Sequence, residues 1–174
     1  MKTETTNYTL CDALSGGFTA LEELRDELQE WYDNLPDSFQ NGDKGDQIQE
    51  AVAGLEDALG YECGDVPEEL SFLEAEAFQV TLPVLRKRAT KSDRCGWAQQ
   101  LLTEARGFLE ERANSYREYA DDAATPTTRP DGEQGAAPFT QAEFAAAADA
   151  AESFVEVIGD CVDGAGNMDF PGAR

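Results

Sequence analysis

The strongest constraint on the fold is a helical period of 3.6 residues that runs from Ser92 to Ala120. Each residue of an α-helix advances by about 100° around the axis, and the apolar residues of this stretch fall within one half of that circle. They are Trp97, Ala98, Leu101, Leu102, Ala105, Phe108, Leu109, Ala113, Tyr116, Tyr119 and Ala120. Ser92 is a good helix cap, with Asp93 in the first turn. We therefore predict one long amphipathic helix over 92–120.

Three other segments show the same period, over about 19–35, 46–60 and 139–163. Thr19 and Thr140 each precede a glutamate by three residues, which is the spacing of a capping box. Each segment carries an apolar stripe on one side and acidic residues on the other. The stripes predict helices that bury one face against each other.

Two short segments interrupt the helical pattern. Residues 76–82 alternate apolar and polar side chains, a period of two that predicts an extended strand. Its partner would be residues 7–11 or the same strand of a second subunit. The sequence Ser15-Gly16-Gly17 is typical of a helix-breaking segment, so we expect the first helix to begin only after it.

The predicted fold class is mainly α: a small helical bundle of about four main helices with a short extended segment near 76–82. A core domain would occupy 1–120 and a flexible linker 121–138, which is rich in Thr, Pro, Gly and Ala. A C-terminal helix over 139–163 would pack on the core. Residues 164–174 would form a tail.

The charge of the chain is strongly unbalanced, with 36 acids, 13 bases and a net charge of −23. Residues 1–85 carry 20 acids and 3 bases, and residues 118–174 carry 12 acids and 2 bases. Only residues 86–117 are basic, with 8 bases and 4 acids. Such a field repels nucleic acid and attracts basic proteins, so we expect no direct nucleic-acid binding. Solubility or adaptation to high salt would explain the same composition.

Several chemistries are excluded by residues that the chain lacks. It has no histidine, which removes the Ser-His-Asp and Cys-His nucleophile arrangements. Its cysteines, Cys11, Cys63, Cys95 and Cys161, form no CxxC pair, so a compact zinc site is not expected. The N-terminus carries no apolar signal region and no stretch is long enough to span a membrane. We expect a cytoplasmic protein with free thiols, no cofactor, no metal and no catalytic residues.

The acids of the first helix are the candidate binding residues. Glu22, Glu23, Asp26, Glu27, Glu30 and Asp33 all lie on the side of the helix opposite its leucines. Negative charge on a rigid helix could imitate the phosphates of DNA and occupy a basic cleft. We therefore expect a protein partner with a basic surface, such as a nuclease, a restriction enzyme or another nucleic-acid-binding protein.

Arg112 is the one charged residue near the middle of the apolar arc of the long helix, one turn from both Phe108 and Tyr116. Its stem could lie over these rings with its head in water. Alternatively, its guanidinium could be held in a groove to meet a carboxylate or phosphate. Arg112 therefore joins the candidate partner-binding residues.

Two other functions fit the same pattern. The chain could be a structural adaptor that forms oligomers through apolar helix faces, with its acidity serving only solubility. It could also be a magnesium-dependent nucleotide pyrophosphatase, since pairs of acids on neighbouring helices can hold magnesium. The acids of the first helix and the Glu118–Asp121 segment resemble the EExxE and ExxD segments of the all-helical nucleotide pyrophosphatases. Asp26 would stand in for the last glutamate, and the two segments lie further apart than in that family.

A second resemblance covers about residues 20–112. The sequence Leu-Gln-Glu-Trp-Tyr-Asp-Asn-Leu-Pro at 28–36 is followed by an amphipathic helix, by Val-Thr-Leu-Pro-Val-Leu-Arg-Lys-Arg at 80–88, and by Asp93-Arg94 at the start of a helix. This order resembles uncharacterised small helical accessory proteins of phages and mobile elements. That family has no assigned activity, so the resemblance implies a genetic context and no functional residues.

Overall fold

The computed structural model describes residues 2–60, 66–73, 76–121 and 140–171. Cys63, residues 122–138 of the predicted linker and residues 172–174 of the predicted tail lie outside them. The elements are β1 (Thr3–Thr9), α1 (Leu10–Asp33), α2 (Asp37–Gln40), α3 (Asp43–Leu59), a 3₁₀ helix (Glu68–Leu73), β2 (Ala77–Pro83), α4 (Lys91–Asp121) and α5 (Gln141–Gly166). The prediction of a mainly α bundle with four main helices and one short extended segment is confirmed.

The four long helices share a single core. Helix α4 contacts both α1 and α5, and α3 contacts the same two helices from the other side. Helices α1 and α5 therefore occupy opposite corners of the bundle. The apolar stripe of each helix turns inward, so that Leu28, Leu55, Leu109 and Phe144 are at most 1% exposed. Burial of these stripes is the main source of stability in a domain of this size.

The prediction that Ser15-Gly16-Gly17 breaks the helical pattern is wrong, because α1 begins at Leu10 and runs through these residues. The Thr9 hydroxyl caps the helix by accepting a hydrogen bond from the Asp12 N–H at 3.1 Å. Gly17 is buried where α1 crosses α4, and a Cβ there would lie 2.6 Å from Cγ of Leu102. The glycine is thus required by the close approach of two helices rather than by a turn.

The starts of α3 and α4 also differ from the predicted positions. Thr90, not Ser92, caps α4: its hydroxyl accepts from the Asp93 N–H at 3.1 Å and its own N–H donates to the Asp93 carboxylate at 3.0 Å. Helix α3 starts at Asp43, three residues before the predicted start of its segment at about residue 46. Both helices gain about a turn or less, so their buried faces are unchanged.

Helix α5 begins as the sequence predicts, with a complete capping box between Thr140 and Glu143. It continues to Gly166, three residues beyond the predicted end. After it, Met168 and Phe170 pack against the core. The described part of the predicted tail is therefore attached to the bundle.

The extended segment pairs with the N-terminus of the same chain. Strands β1 and β2 are antiparallel, with Thr3 opposite Pro83 and Thr9 opposite Ala77. One of the two predicted partners is thus correct, although the strand covers 3–9 rather than 7–11. Val80 and Leu82 are buried, which fixes β2 on the bundle, where it contacts α4.

Candidate functional site

All six predicted acids of α1 are exposed, because they lie opposite the buried Leu21, Leu24 and Leu28. Their positions on the helix separate them into two groups. Glu22, Asp26, Glu30 and Asp33 point away from the core, and we call these four the outer stripe. Glu23 and Glu27 lie to one side, toward α4.

The two lateral acids are paired within the fold. Arg94 of α4 donates to Glu27 at 2.6 Å, and its guanidinium lies 3.6 Å from the carboxylate of Glu23. Lys91 donates to the second oxygen of Glu27 at 3.3 Å. The hydrogen bond from Arg94 is the main reason why the pKa of Glu27 falls below its usual value, while desolvation opposes that shift. Glu23 and Glu27 therefore help to hold α1 against α4.

The outer stripe has no such partners among the described residues. Within the described part of the chain, Asp26 pairs only with its neighbour Arg25, at 2.7 Å, and Asp33 accepts a hydrogen bond from Gln29 at 2.8 Å. Both contacts stay within α1. At 1.5 Å per residue, the four carboxylates are spread over about 16 Å of helix. They form a regular line of negative charge that no other described element neutralises.

Most of the basic region 86–117 is used inside the fold. Within the described ranges, five of its eight bases make ion pairs: Lys91 and Arg94 with α1, Arg106 with Glu110, Arg112 with Glu76, and Arg117 with Asp149 and Glu152. Arg86, Lys87 and Arg88 are exposed, and none of the described residues forms an ion pair with them. Four of these five bases therefore pair with acids outside α4, and Arg106 pairs within the helix.

Arg112 lies far from the acids of α1. It is 18 residues beyond Arg94, or about 27 Å further along α4. Its guanidinium is half-buried, pairs with Glu76 just before β2, and lies 5.1 Å from the centre of the Phe108 ring. The stem of Arg112 therefore lies over an aromatic ring, as the first alternative predicts, and the carboxylate that its guanidinium meets belongs to this chain. The structure does not place Arg112 with the other candidate binding residues.

Two buried polar atoms lie in the same region. The Nε atom of Arg112 and the hydroxyl of Tyr116 have no hydrogen-bond partner among the described residues. Burial, the largest cause, raises the pKa of Tyr116, and the nearby charge of Glu76 raises it further. The sequence contained only a weak signal for this cluster, since Glu76 is one of 36 acids.

The two acidic segments of the pyrophosphatase alternative do not meet. Glu23 lies beside Arg94, whereas Glu118 lies 24 residues further along α4, or about 36 Å away along the helix. Within 2–60, 66–73, 76–121 and 140–171, no group of three or more acids or cysteines is close enough to hold a metal ion. The acids of α1 and the Glu118–Asp121 segment therefore cannot share one magnesium ion.

Three of the four cysteines are described, and Cys11 and Cys95 are free thiols. Cys95 and Cys161 are buried, and Cys11 is exposed. Cys95 donates to the carbonyl oxygen of Ala165 at 3.6 Å, and burial raises its pKa to about 11. A thiol with a raised pKa is a poor nucleophile, so Cys95 contributes packing between α4 and α5.

Comparison with models of known protein families, with curated proteins and with solved structures found no match to this chain. None of the helices that the structure describes combines the length and the apolar character needed to cross a bilayer. Function is therefore inferred from the geometry and charge of the described residues.

The Glu27 pair gives a first test of this charge arrangement. Glu27→Gln should lower the free energy of unfolding by up to about 1 kcal/mol at neutral pH, since the Glu27 side chain is 44% exposed and solvent weakens the pair. The folded-state pKa of Glu27 is lowered, so the pair stabilises the fold above the unfolded-state pKa of about 4.3. This contribution is lost as the pH falls through the folded-state pKa. Urea unfolding at pH 7 and near pH 3 measures it.

Glu30→Gln is the matched control, because Glu30 is exposed on the same helix and has no ion pair among the described residues. Its effect on stability should stay within about 0.5 kcal/mol. Equal losses in the two variants, or a loss at Glu27 that persists in acid, would show that the pair with Arg94 and Lys91 does not stabilise the fold.

Proposed function

We propose that this protein is a non-enzymatic interaction protein that binds a basic surface on another protein through the outer stripe of α1. The observation that supports this is the contrast within one helix. Glu23 and Glu27 are neutralised by α4, whereas Glu22, Asp26, Glu30 and Asp33 face outward without a partner from another described element.

Such a line of like charge lowers the stability of the isolated protein, although Arg25 of the same helix attracts Glu22 and Asp26 and offsets part of the repulsion. Glu22, Asp26 and Glu30 are spaced four residues apart, and Asp33 follows after three. Like-charged pairs at these spacings destabilise a helix by about 0.2–0.5 kcal/mol each. A partner with lysines and arginines at matching positions would relieve this repulsion on binding, and would be steered to the stripe by the field of the whole chain.

We further propose that the partner is a nucleic-acid-binding protein. Its binding cleft is already built to accept regularly spaced negative charge, which the stripe supplies on a rigid support. In the phage or mobile-element context that the sequence resemblance implies, the partner would be a host defence protein such as a nuclease, and binding would inhibit it.

The adaptor alternative receives less support from the described residues. The apolar faces of helices α1, α3, α4 and α5 are buried in one shared core. Among the residues that the structure describes, the large apolar side chains that remain exposed, Phe39, Val84 and Tyr119, belong to three different parts of the chain. No described helix therefore offers an apolar face for an oligomeric assembly.

Co-purification at two salt concentrations, with DNA as a competitor, tests the proposal. A partner held by the outer stripe should be retained near 0.1 M salt and lost near 1 M, where the Debye length falls from about 10 Å to about 3 Å. Duplex DNA should displace it at low salt, because both compete for one cleft. Retention at 1 M salt, or failure of DNA to compete, would contradict binding by charge mimicry.

A further inference from the structure

Strands β1 and β2 form a two-stranded ribbon, and each strand has an outer edge. The hydrogen bond from the Val84 N–H to the carbonyl oxygen of Lys2, at 2.9 Å, fixes the pattern of the ladder. Hydrogen-bonded pairs alternate along antiparallel strands, so Glu4, Thr6 and Tyr8 bond to β2. The N–H and C=O groups of the alternate residues point away from the ribbon.

On β1 these outward groups belong to Thr3, Thr5 and Asn7. None of the described residues donates to them or accepts from them. Residues 3–7 are exposed on both faces of the strand. An open strand edge is a template for another strand, because it presents a row of unsatisfied donors and acceptors.

The outer edge of β2 is protected, which makes the open edge of β1 distinctive. Pro83 occupies an outward position and has no N–H to offer. At the next outward position, Gln100 of α4 donates to the carbonyl oxygen of Thr81 at 2.8 Å. Strand β1 has no proline and no covering helix side chain among the described residues. The fold thus blocks two outward positions of β2, Thr81 and Pro83, and none of the outward positions of β1 at residues 3–7.

We infer that the outer edge of β1 pairs with β1 of a second copy of this chain, antiparallel, to form a continuous four-stranded sheet. The three outward residues are symmetric about Thr5. A twofold axis through Thr5 would place Thr3 opposite Asn7 of the second copy and Thr5 opposite Thr5. Every outward donor and acceptor of these residues would then be satisfied.

The local charge of the strand does not oppose a second copy at this edge, in spite of the large net charge of the chain. Between Lys2 and Cys11, the charged side chains are Lys2 and Glu4, which cancel. In the symmetric register Glu4 faces Thr6 of the second copy and Lys2 faces Tyr8, so that no like charges are directly opposed. The outer stripe begins 12 residues into α1, about 18 Å from the strand, beyond two Debye lengths of about 8 Å.

A single pair of strands buries little surface. Stable interfaces bury about 1,200–2,000 Å², more than one strand edge supplies, so the dimer should depend on protein concentration. Covalent trapping is therefore the sharpest measurement. Because Cys11 is exposed and Cys63 lies outside the described residues, both are replaced by serine in every variant.

The variants Thr5→Cys and Thr81→Cys form a matched pair, since both threonines are exposed and lie opposite each other on one face of the ribbon. In the inferred dimer the two Thr5 Cα atoms are about 5.5 Å apart, within disulfide range. The two Thr81 Cα atoms are separated by three strand spacings, about 14 Å. Under mild oxidation, Thr5→Cys should give at least about tenfold more cross-linked dimer than Thr81→Cys, because thiols that far apart cannot be bridged.

Thr5→Pro supplies the complementary result. It removes an outward N–H and no backbone hydrogen bond of the ribbon, and the hydroxyl contact of Thr5 with Thr81, at 3.0 Å, that it also removes is lost equally in both cysteine variants. Helical content by circular dichroism should therefore be unchanged while the dimer is lost in sedimentation equilibrium. If Thr5→Pro does not fold, the comparison of Thr5→Cys with Thr81→Cys still tests whether two β1 strands pair. Equal cross-linking of the two cysteine variants, or none in either, would overturn the inference. The second result would leave the edge free for an extended segment of another protein.

Discussion

Replacing Gly17 with alanine is expected to destabilise the fold, although alanine normally stabilises the interior of a helix by about 0.5–1 kcal/mol relative to glycine. The added Cβ would lie 2.6 Å from both Cγ and Cδ2 of Leu102. Leu102 is completely buried, so it cannot turn away without displacing other core side chains. Overpacking of this kind costs about 1–3 kcal/mol.

Gly107→Ala is the matched control for Gly17→Ala. Gly107 lies in the interior of α4, and a Cβ there would meet nothing within 4 Å. That substitution should raise the free energy of unfolding by about 0.5–1 kcal/mol through helix propensity alone. The difference between the two variants in urea unfolding isolates the contact between α1 and α4, and should be about 1–3 kcal/mol. Equal effects would mean that α1 and α4 do not meet closely at Gly17.

The wrong prediction that Gly16-Gly17 breaks a helix shows that the start of α1 could not be predicted from the local sequence alone. A pair of glycines after a serine is typical of a turn, and nothing within residues 10–20 indicates otherwise. The reason for glycine at position 17 is Leu102, which is 85 residues away in sequence and becomes a neighbour only through the bundle. Helix α5, in contrast, began as predicted because its capping box is local.

The candidate site also has one part that the sequence predicts and another that only the fold reveals. The helical period alone predicted that the six acids of α1 are exposed, since the period fixes which side the leucines take. It could not predict that Glu23 and Glu27 are paired with Arg94, because that depends on the antiparallel contact of α1 with α4. The pair of Arg112 with Glu76 likewise joins residues that are separated by 36 positions. Charge pairing across elements requires the fold.

Neutralising the outer stripe is expected to have the largest effect on partner binding. Glu22→Gln, Asp26→Asn, Glu30→Gln and Asp33→Asn together replace four exposed carboxylates with amides of nearly the same shape. At about 0.5–1 kcal/mol for each partly solvated charge pair, the combined loss is about 2–4 kcal/mol, or about 30- to 1,000-fold in Kd. The fold should be unharmed, because the change removes repulsion along α1 and the pair of Asp26 with Arg25 that it breaks is an exposed one. Titration against the partner at 0.1 M salt, with urea unfolding alongside, measures both quantities.

The control variant makes the same change in net charge on the opposite corner of the bundle. The acids Glu156, Asp160, Asp163 and Asp169 are exposed on α5 and just after it, and no described residue forms an ion pair with them. Changing these four acids to glutamine or asparagine would weaken the long-range negative field of the protein by the same amount but leave the outer stripe intact. If binding requires the stripe, the α5 variant should bind within a few-fold of the natural protein and lose mainly association rate. If both variants weaken binding equally, the partner senses only total charge, and the outer stripe is not a binding site.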